Sequence, residues 1–397
     1  MTAPLEGIRV LEIGTLIAAP FAGRILAEFG ADIIKIEAPG QGDPLRKWRK
    51  MHEGTSLWWR LQSRNKKSIG IDLKTPEGAD IVRLLAADAD ILIENMRPGT
   101  LEKLGLGWDV LSKLNPGLTM VRISGYGQTG PYRDRPGFGA IGEAMGGIRF
   151  TTGDADGPPA RVGISLGDSL ASLYGVIGAL MSLLTVKTGR GPGQIVDVSL
   201  FESVFSLMET LVPEYDLFGF VRERSGGSLP GISPSNTYRT RDSQYVVIAG
   251  NSDPIFRRLM AVIGRPDLAA DPALEHNDGR VAQNGMIDAA IGNWTGALDI
   301  ETALELLEAA QIPAGRIYSA AEIVADPHYQ ARDMILSADL PDGARMKMPG
   351  IVPKLSGTPG EVRWLGPDLG EHTGEILRSL KFDEGEIARL RALGVVQ

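Results

Sequence analysis

The sequence predicts an α/β protein whose large domain holds a Rossmann-like parallel sheet, and three observations carry that prediction. Apolar, β-branched runs recur through the first half of the chain, amphipathic helical stretches alternate with them, and the texture changes only after residue 224. RVLEI (9–13), DIIKIE (32–37), ADILIEN (89–95) and LTMVRIS (118–124) are the predicted strands, with residues 20–29 and 76–86 as crossover helices. QIVDVSL (194–200) adds another strand, and residues 201–218 are predicted as one long helix. After the first strand, IGTLIAAPFAG offers Gly14 and Gly23 but not the G-x-G-x-x-G spacing, so a nicotinamide or flavin site has no support.

The stretch RVGISLGDSLASLYG (161–175) places one carboxylate, Asp168, in a segment otherwise free of charge from Val162 to Val186. VGISL is predicted as a short strand, Gly167 as a tight turn and Asp168 as the first residue of a helix. One face of that helix carries Leu173, Ile177, Leu180 and Leu184. Ala171, Gly175, Gly178 and Ser182 form a narrow face that another backbone can approach closely. The length and lack of charge of 169–186 would also suit a membrane span, but its Gly, Ser and Thr content favours a buried helix.

SGGSLPGISPSNTY (225–238) reads as a loop at a domain junction. A strand at 245–250 and helices at 255–263 and 301–310 follow, forming a smaller α/β domain. From about Asp326 the chain turns Pro-rich, and a helix at 372–380 is expected to pack back on the first domain. The expected organisation is a large domain from 1–224, a small domain from 225–325, and a return to the large domain over 326–397.

Composition narrows the function classes. Of the 397 residues 43% are hydrophobic and 23% charged, which suits a large buried core. A net charge of -8 argues against a nucleic-acid surface, which needs clustered Lys and Arg. Without cysteine there is no disulfide, thiolate metal site or Cys nucleophile. His52, His276, His328 and His372 share no ligand spacing, so no metal site is expected. The opening MTAPLEGIRVLEIG lacks a basic segment followed by an apolar one, and the expected location is the cytoplasm. GISLG around Ser165 resembles a nucleophile elbow, but the predicted strand-to-helix turn falls at Asp168 instead. A lone Asp there has two readings: a helix N-cap, which stabilises by about 1 kcal/mol, or an ionised carboxylate able to attack an acyl carbon.

Eight ordered blocks resemble the class III CoA-transferases, the family of formyl-CoA and carnitine CoA-transferases. They are PLEGIRVLEIG, LAEFGADIIKIEAPGQGDPLR, NKKSIGIDLKTPEG, IENMRPGTLEKLGLG, ISGYGQTGPY, VGISLGDSLASLYG, KTGRGPGQIVDVSL and LGEHTGEIL, running from Pro4 to about Leu377. The resemblance implies that Asp168 is the nucleophile, forming an aspartyl anhydride and then an aspartyl-CoA thioester. It implies that CoA, a substrate and product rather than a permanently bound cofactor, lies against Ile17, Ala18, Ile71 to Lys74, Asn95, Met96 and Arg97, with Lys103 near its phosphates. It also implies a homodimer of interlocked chains. The pattern looks closest to the branch using small dicarboxylates, with succinyl-CoA or a similar small acyl-CoA as donor. Arg46, after the turn PGQGDP, is the candidate to hold the acceptor's remote carboxylate; CoA phosphate or an ion pair with Asp43 are its competing roles.

Three departures from the family pattern stand out. Ala38 replaces a phosphate-contacting Arg, which leaves Arg97 to serve the adenosine end. The glycine-rich loop of the formyl-CoA enzyme is missing, with SGGSLPGISPS as its expected replacement. Gly139 stands where many transferases keep an acid. Two other readings share the fold or the ligand. The 2-methylacyl-CoA racemase branch needs a His-Asp pair where this chain has Phe138-Gly139, and a non-catalytic acyl-CoA-binding protein would show no CoA exchange.

Overall fold

The computed structural model describes residues 3–397. They form two compact units. One takes the chain up to Ile148 with Val162–Glu209 and Asp333–Gln397, and the other takes Arg149–Arg161 and Thr210–Arg332.

The first unit is built on a six-stranded sheet: β1 (Arg9–Glu12), β2 (Asp32–Glu37), β3 (Lys66–Gly70), β4 (Ile91–Glu94), β5 (Thr119–Ser124) and β6 (Ile195–Ser199). The order is β3-β2-β1-β4-β5-β6 and every pairing is parallel. The chain therefore winds outward from β1 in one direction and from β4 in the other, leaving a topological switch point between them, where open α/β sheets bind ligands. β3 was not expected: KKSIG has a charged start and one large aliphatic residue, too little for a strand signal. Tertiary pairing with β2 makes it one.

Alternation along the strands sends Val10, Ile33 and Ile91 to one face and Leu11, Ile34 and Leu92 to the other. Helix α1 (Ala18–Glu28) and the long helix introduced below cover the first face. The second is covered by α2 (Pro76–Ala86) and by the C-terminal helices Thr373–Ser379 and Glu384–Ala392, through Ile376, Leu377, Ile387 and Leu390.

After β5 come α3 (Gly139–Met145), α4 (Leu166–Lys187) and α5 (Leu200–Phe205). Ala171 and Ser182 of α4 are buried. A Cβ on Gly175 would lie 3.2 Å from Val121 Cγ1, and one on Gly178 only 2.4 Å from Val196 Cγ1. The narrow face therefore packs closely on β5 and β6. Leu173, Ile177, Leu180 and Leu184 are 44, 47, 38 and 60% exposed, so the expectation of a buried helix holds for the sheet-facing side alone. Among the described residues α4 is the one helix long and apolar enough to cross a membrane.

Two local expectations are corrected. VGISL is not a strand; α4 begins at Leu166 with Ser165 as its N-cap residue. The helix expected over 201–218 is two helices, α5 and Leu211–Phe218, separated where Glu209 turns to φ +47°. Pro213 explains the break, because a proline inside a continuous helix would lose an N–H bond and strike the preceding turn, whereas the restarted helix puts it in the first turn.

The second unit holds a three-stranded antiparallel sheet, Ala314–Arg316, Tyr245–Ala249 and Ser235–Arg239 in that order, with helices Asp253–Val262, Asn284–Gly296 and Ile300–Ala309. Its core gathers Val246, Ile248, Phe256, Leu259, Ile287, Ile291 and Leu307.

Candidate active site

The turn after β1 sits at the switch point. Asn95, just past β4, receives the Thr15 N–H at 2.8 Å and donates to the Thr15 carbonyl at 2.8 Å, which ties the two loops together. Only glycine fits at 14, where a Cβ would lie 2.2 Å from Ala19 Cβ and 2.5 Å from Asn95 Oδ1. Leu16 has φ +66°, a left-handed conformation that costs a non-glycine residue about 1–2 kcal/mol. Its N–H is received by the buried Asp43 carboxylate, at 3.0 Å to Oδ1 and 3.2 Å to Oδ2.

Asp168 lies in the first turn of α4, half-buried. It is the third helical residue and not the N-cap; Ser165 holds that position, without a side-chain cap bond. The Ser172 hydroxyl lies 2.7 Å from the Asp168 carbonyl and 2.6 Å from that of Ala18. One side chain thus joins the turn that carries Asp168 to the start of α1, where the resemblance puts CoA. Across from α4, a Cβ on Gly139 would come within 2.0 Å of Asp168 Oδ2 and 2.8 Å of its Cγ. The carboxylate occupies the space that a side chain at 139 would fill. Gly167, on α4 itself, faces α3, its Cβ position 3.1 Å from the Gly139 carbonyl.

Beneath the β1 turn lies a buried network of alternating charges. Lys35 reaches Glu12 at 3.0 Å, Asp43 at 2.9 Å and the Gly14 carbonyl at 2.7 Å. Lys66 reaches the other oxygen of Glu12 at 2.7 Å and the Pro20 carbonyl at 2.6 Å. Burial favours the neutral form of both lysines, but three carboxylates, Asp43 first, outweigh it at Lys35 and raise its pKa. At Lys66 the same burial prevails over Glu12 and the pKa falls to about 8. Gly23 of α1 makes room for this network, since a Cβ there would lie 2.0 Å from Glu12 Oε2.

Arg46 belongs to the network and not to a ligand. Its Nε and Nη2 donate to the two oxygens of Glu37 at 2.9 and 2.8 Å, Nη1 donates to the Pro367 carbonyl at 3.1 Å, and the guanidinium stacks 3.7 Å over the Trp59 ring. The expectation of a substrate clamp is therefore corrected: the side chain is buried and its fork is already engaged. Asp43, proposed as its ion partner, pairs with Lys35 instead.

The remaining expected residues follow the carboxyl ends of β1, β3 and β4, so the parallel sheet brings them to one edge. Ile17 and Ala18 are buried at the start of α1 and can meet a ligand only through backbone. Ile71 is buried in the core, its N–H bonded to the Glu37 carbonyl at 2.8 Å, and offers no side chain. Met96 N–H is held by Glu94 at 2.7 Å. Arg122 joins Glu94 and Glu102, each at 2.7 Å, bracing the short helix Thr100–Lys103. Lys74, Arg97 and Lys103 are exposed and form no ion pair among the described residues, leaving three cations for an anion at this edge. Lys35 carries no site signal in the sequence, and Asp43 and Asn95 are legible there only as an ion partner of Arg46 and as a CoA-loop residue; the motif GQGDP is the one signal that a structured turn follows β2.

Comparison with known proteins identifies the family. The model of CoA-transferase family III matches residues 5–373. The chain is 49% identical to the succinyl-CoA–D-citramalate CoA-transferase of Chloroflexus aurantiacus, over 99% of this chain and 98% of that protein. It is 44% identical to the beta subunit of the succinyl-CoA–L-malate CoA-transferase of the same organism, over 100% of this chain and 98% of that one. The crystal structure of a CAIB/BAIF family protein from Brucella suis superposes with a TM-score of 0.84 at 33% identity, covering 96% of this chain and 100% of that one.

Proposed function

Because the chain belongs to CoA-transferase family III, we propose that it carries CoA from succinyl-CoA, or a similarly small acyl-CoA, to a small dicarboxylate, with Asp168 as the covalent nucleophile. The observation that carries the reading is the full-length likeness to two enzymes whose names pair succinyl-CoA with citramalate and with malate.

In the first step the Asp168 carboxylate attacks the thioester carbonyl, giving a mixed anhydride and CoA thiolate. The thiolate attacks the aspartyl carbonyl, forming aspartyl-CoA thioester and releasing the donor acid. The acceptor carboxylate then attacks that thioester, expelling thiolate, and the thiolate takes the acceptor's acyl group, which restores Asp168. No proton is gained or lost overall. Lys74, Arg97 and Lys103 neutralise the CoA phosphates, and the Thr15–Ala18 turn supports the end of CoA nearer Asp168. The racemase reading lacks support, because Phe138 and Gly139 supply no titratable side chain.

Incubation with succinyl-CoA and citramalate or malate should yield the acceptor's CoA thioester by mass spectrometry. Asp168→Ala should abolish exchange, and hydroxylamine with succinyl-CoA should convert Asp168 to its hydroxamate. Full activity in Asp168→Ala would sink the mechanism, and absence of exchange with every small acid would leave an acyl-CoA-binding protein.

A further inference from the structure

We infer that Asp43 is a positioning residue, which holds Leu16 in the left-handed conformation and so shapes the turn that carries acyl-CoA. The inference rests on the proposed function for what the turn binds, but the geometry behind it is independent.

Three features converge on Gly14 to Leu16. Leu16 sits at φ +66° without being glycine. Its N–H is held by both oxygens of a buried carboxylate, and the same carboxylate ion-pairs with Lys35, which in turn donates to the Gly14 carbonyl. Asp43 is itself fixed from the other side. Its N–H donates to Glu37 at 2.8 Å, on the oxygen that also receives Arg46 Nε, and Ser68 donates to the other Glu37 oxygen at 2.6 Å. Asp43 Oδ1 further receives the Leu45 N–H at 2.9 Å. The two ends of a strained turn are thus clamped to one ion pair, and the strain persists because its surroundings over-determine it. Asn at 43 keeps one acceptor oxygen, too few to serve Leu16, Leu45 and Lys35 together.

The test measures CoA affinity by calorimetry beside kcat, KM for succinyl-CoA and the urea midpoint. Asp43→Asn should weaken CoA and raise KM about tenfold, equivalent to about 1.4 kcal/mol, with a smaller change in kcat. Leu16→Gly in that background should recover most of the CoA affinity, because glycine reaches positive φ without steric penalty. The urea midpoint should stay low, because buried Lys35 still lacks one of its two carboxylate partners. Recovery of affinity without recovery of stability is what a merely structural role would not produce. Unchanged CoA affinity in folded Asp43→Asn, or a loss that Leu16→Gly leaves in full, overturns the inference. If Asp43→Asn does not fold, Leu16→Ile leaves the ion pair intact but makes positive φ harder to hold; it should weaken CoA, and an unchanged affinity is again fatal. A wild-type chain that binds no CoA sinks this inference and the proposed function together. A chain that transfers CoA, and is indifferent to these changes, sinks the inference alone.

Discussion

Gly139 decides where the Asp168 carboxylate can lie. A methyl group at 139 would stand 2.0 Å from Oδ2, so Gly139→Ala must swing the acid out of place. A misplacement of about 1 Å costs on the order of a hundredfold in rate, and kcat should fall by about that factor while KM for acyl-CoA changes little. An unchanged kcat in a folded variant would remove Gly139 from the account. Asp168 itself was legible as an isolated acid before a small-residue helix; Gly139 was visible only as a departure from the family pattern, since contact across helices leaves no local signal. Arg46 was misread for the related reason that an Arg after a turn looks exposed. Its partner Glu37 ends β2, where burial would raise the carboxyl pKa, but the hydrogen bonds and charges of Arg46 and Lys35 hold it below the ordinary 4.5. At Asp43 burial is likewise outweighed, chiefly by Lys35, and the pKa lies below 3.8. Between the native and unfolded values the unfolded chain binds more protons, so the stability from both groups is complete above about pH 4.5 and is lost as pH falls through the native values. Glu94, raised by burial, acts in the opposite sense above 4.5. Glu37→Gln should therefore flatten the acid side of a plot of urea midpoint against pH, while lowering the midpoint at neutral pH. An acid limb as steep as in the wild type would count against the assignment.

Helix α4 shows what an element's sequence reveals and what it withholds. The spacing of Ala171, Gly175, Gly178 and Ser182 marked a face for close approach, and that face lies on the sheet. Gly178→Ala would put a Cβ 2.4 Å from Val196 Cγ1. The overpacking should destabilise by about 1–3 kcal/mol in urea denaturation, with a substitution at exposed Met181 as the near-neutral control. Equal midpoints for both variants would mean that α4 does not rest on β6. The opposite face was as apolar by sequence yet is exposed, because periodicity reports which residues share a side and not what covers them. Conversely β3, with little apolar signal, is a strand because β2 pairs with it, and Glu12, Lys35 and Lys66 look solvent-directed by strand alternation yet meet one another under α1.

At the scale of the whole molecule, the exposed apolar side of α4 and the helix Leu211–Phe218, none of whose residues is buried, are surfaces that the expected homodimer would have to cover. Light scattering should give about twice the chain mass of 42.5 kDa; the monomer mass would contradict it. Sequence alone determined the α/β class, five of the six strands of the parallel sheet, and the singular acid Asp168. These follow from local periodicity, turn chemistry and ordered motifs, all of which are written within short windows of the chain. Only tertiary structure decided that Asp168 rests on Gly139, that Arg46 is locked to Glu37, and that Asp43 and Lys35 hold a strained turn at the switch point. Each depends on residues from separate elements meeting in a space that excludes water, where a charge must find a partner and a missing Cβ becomes a seat; no short window of sequence contains that information.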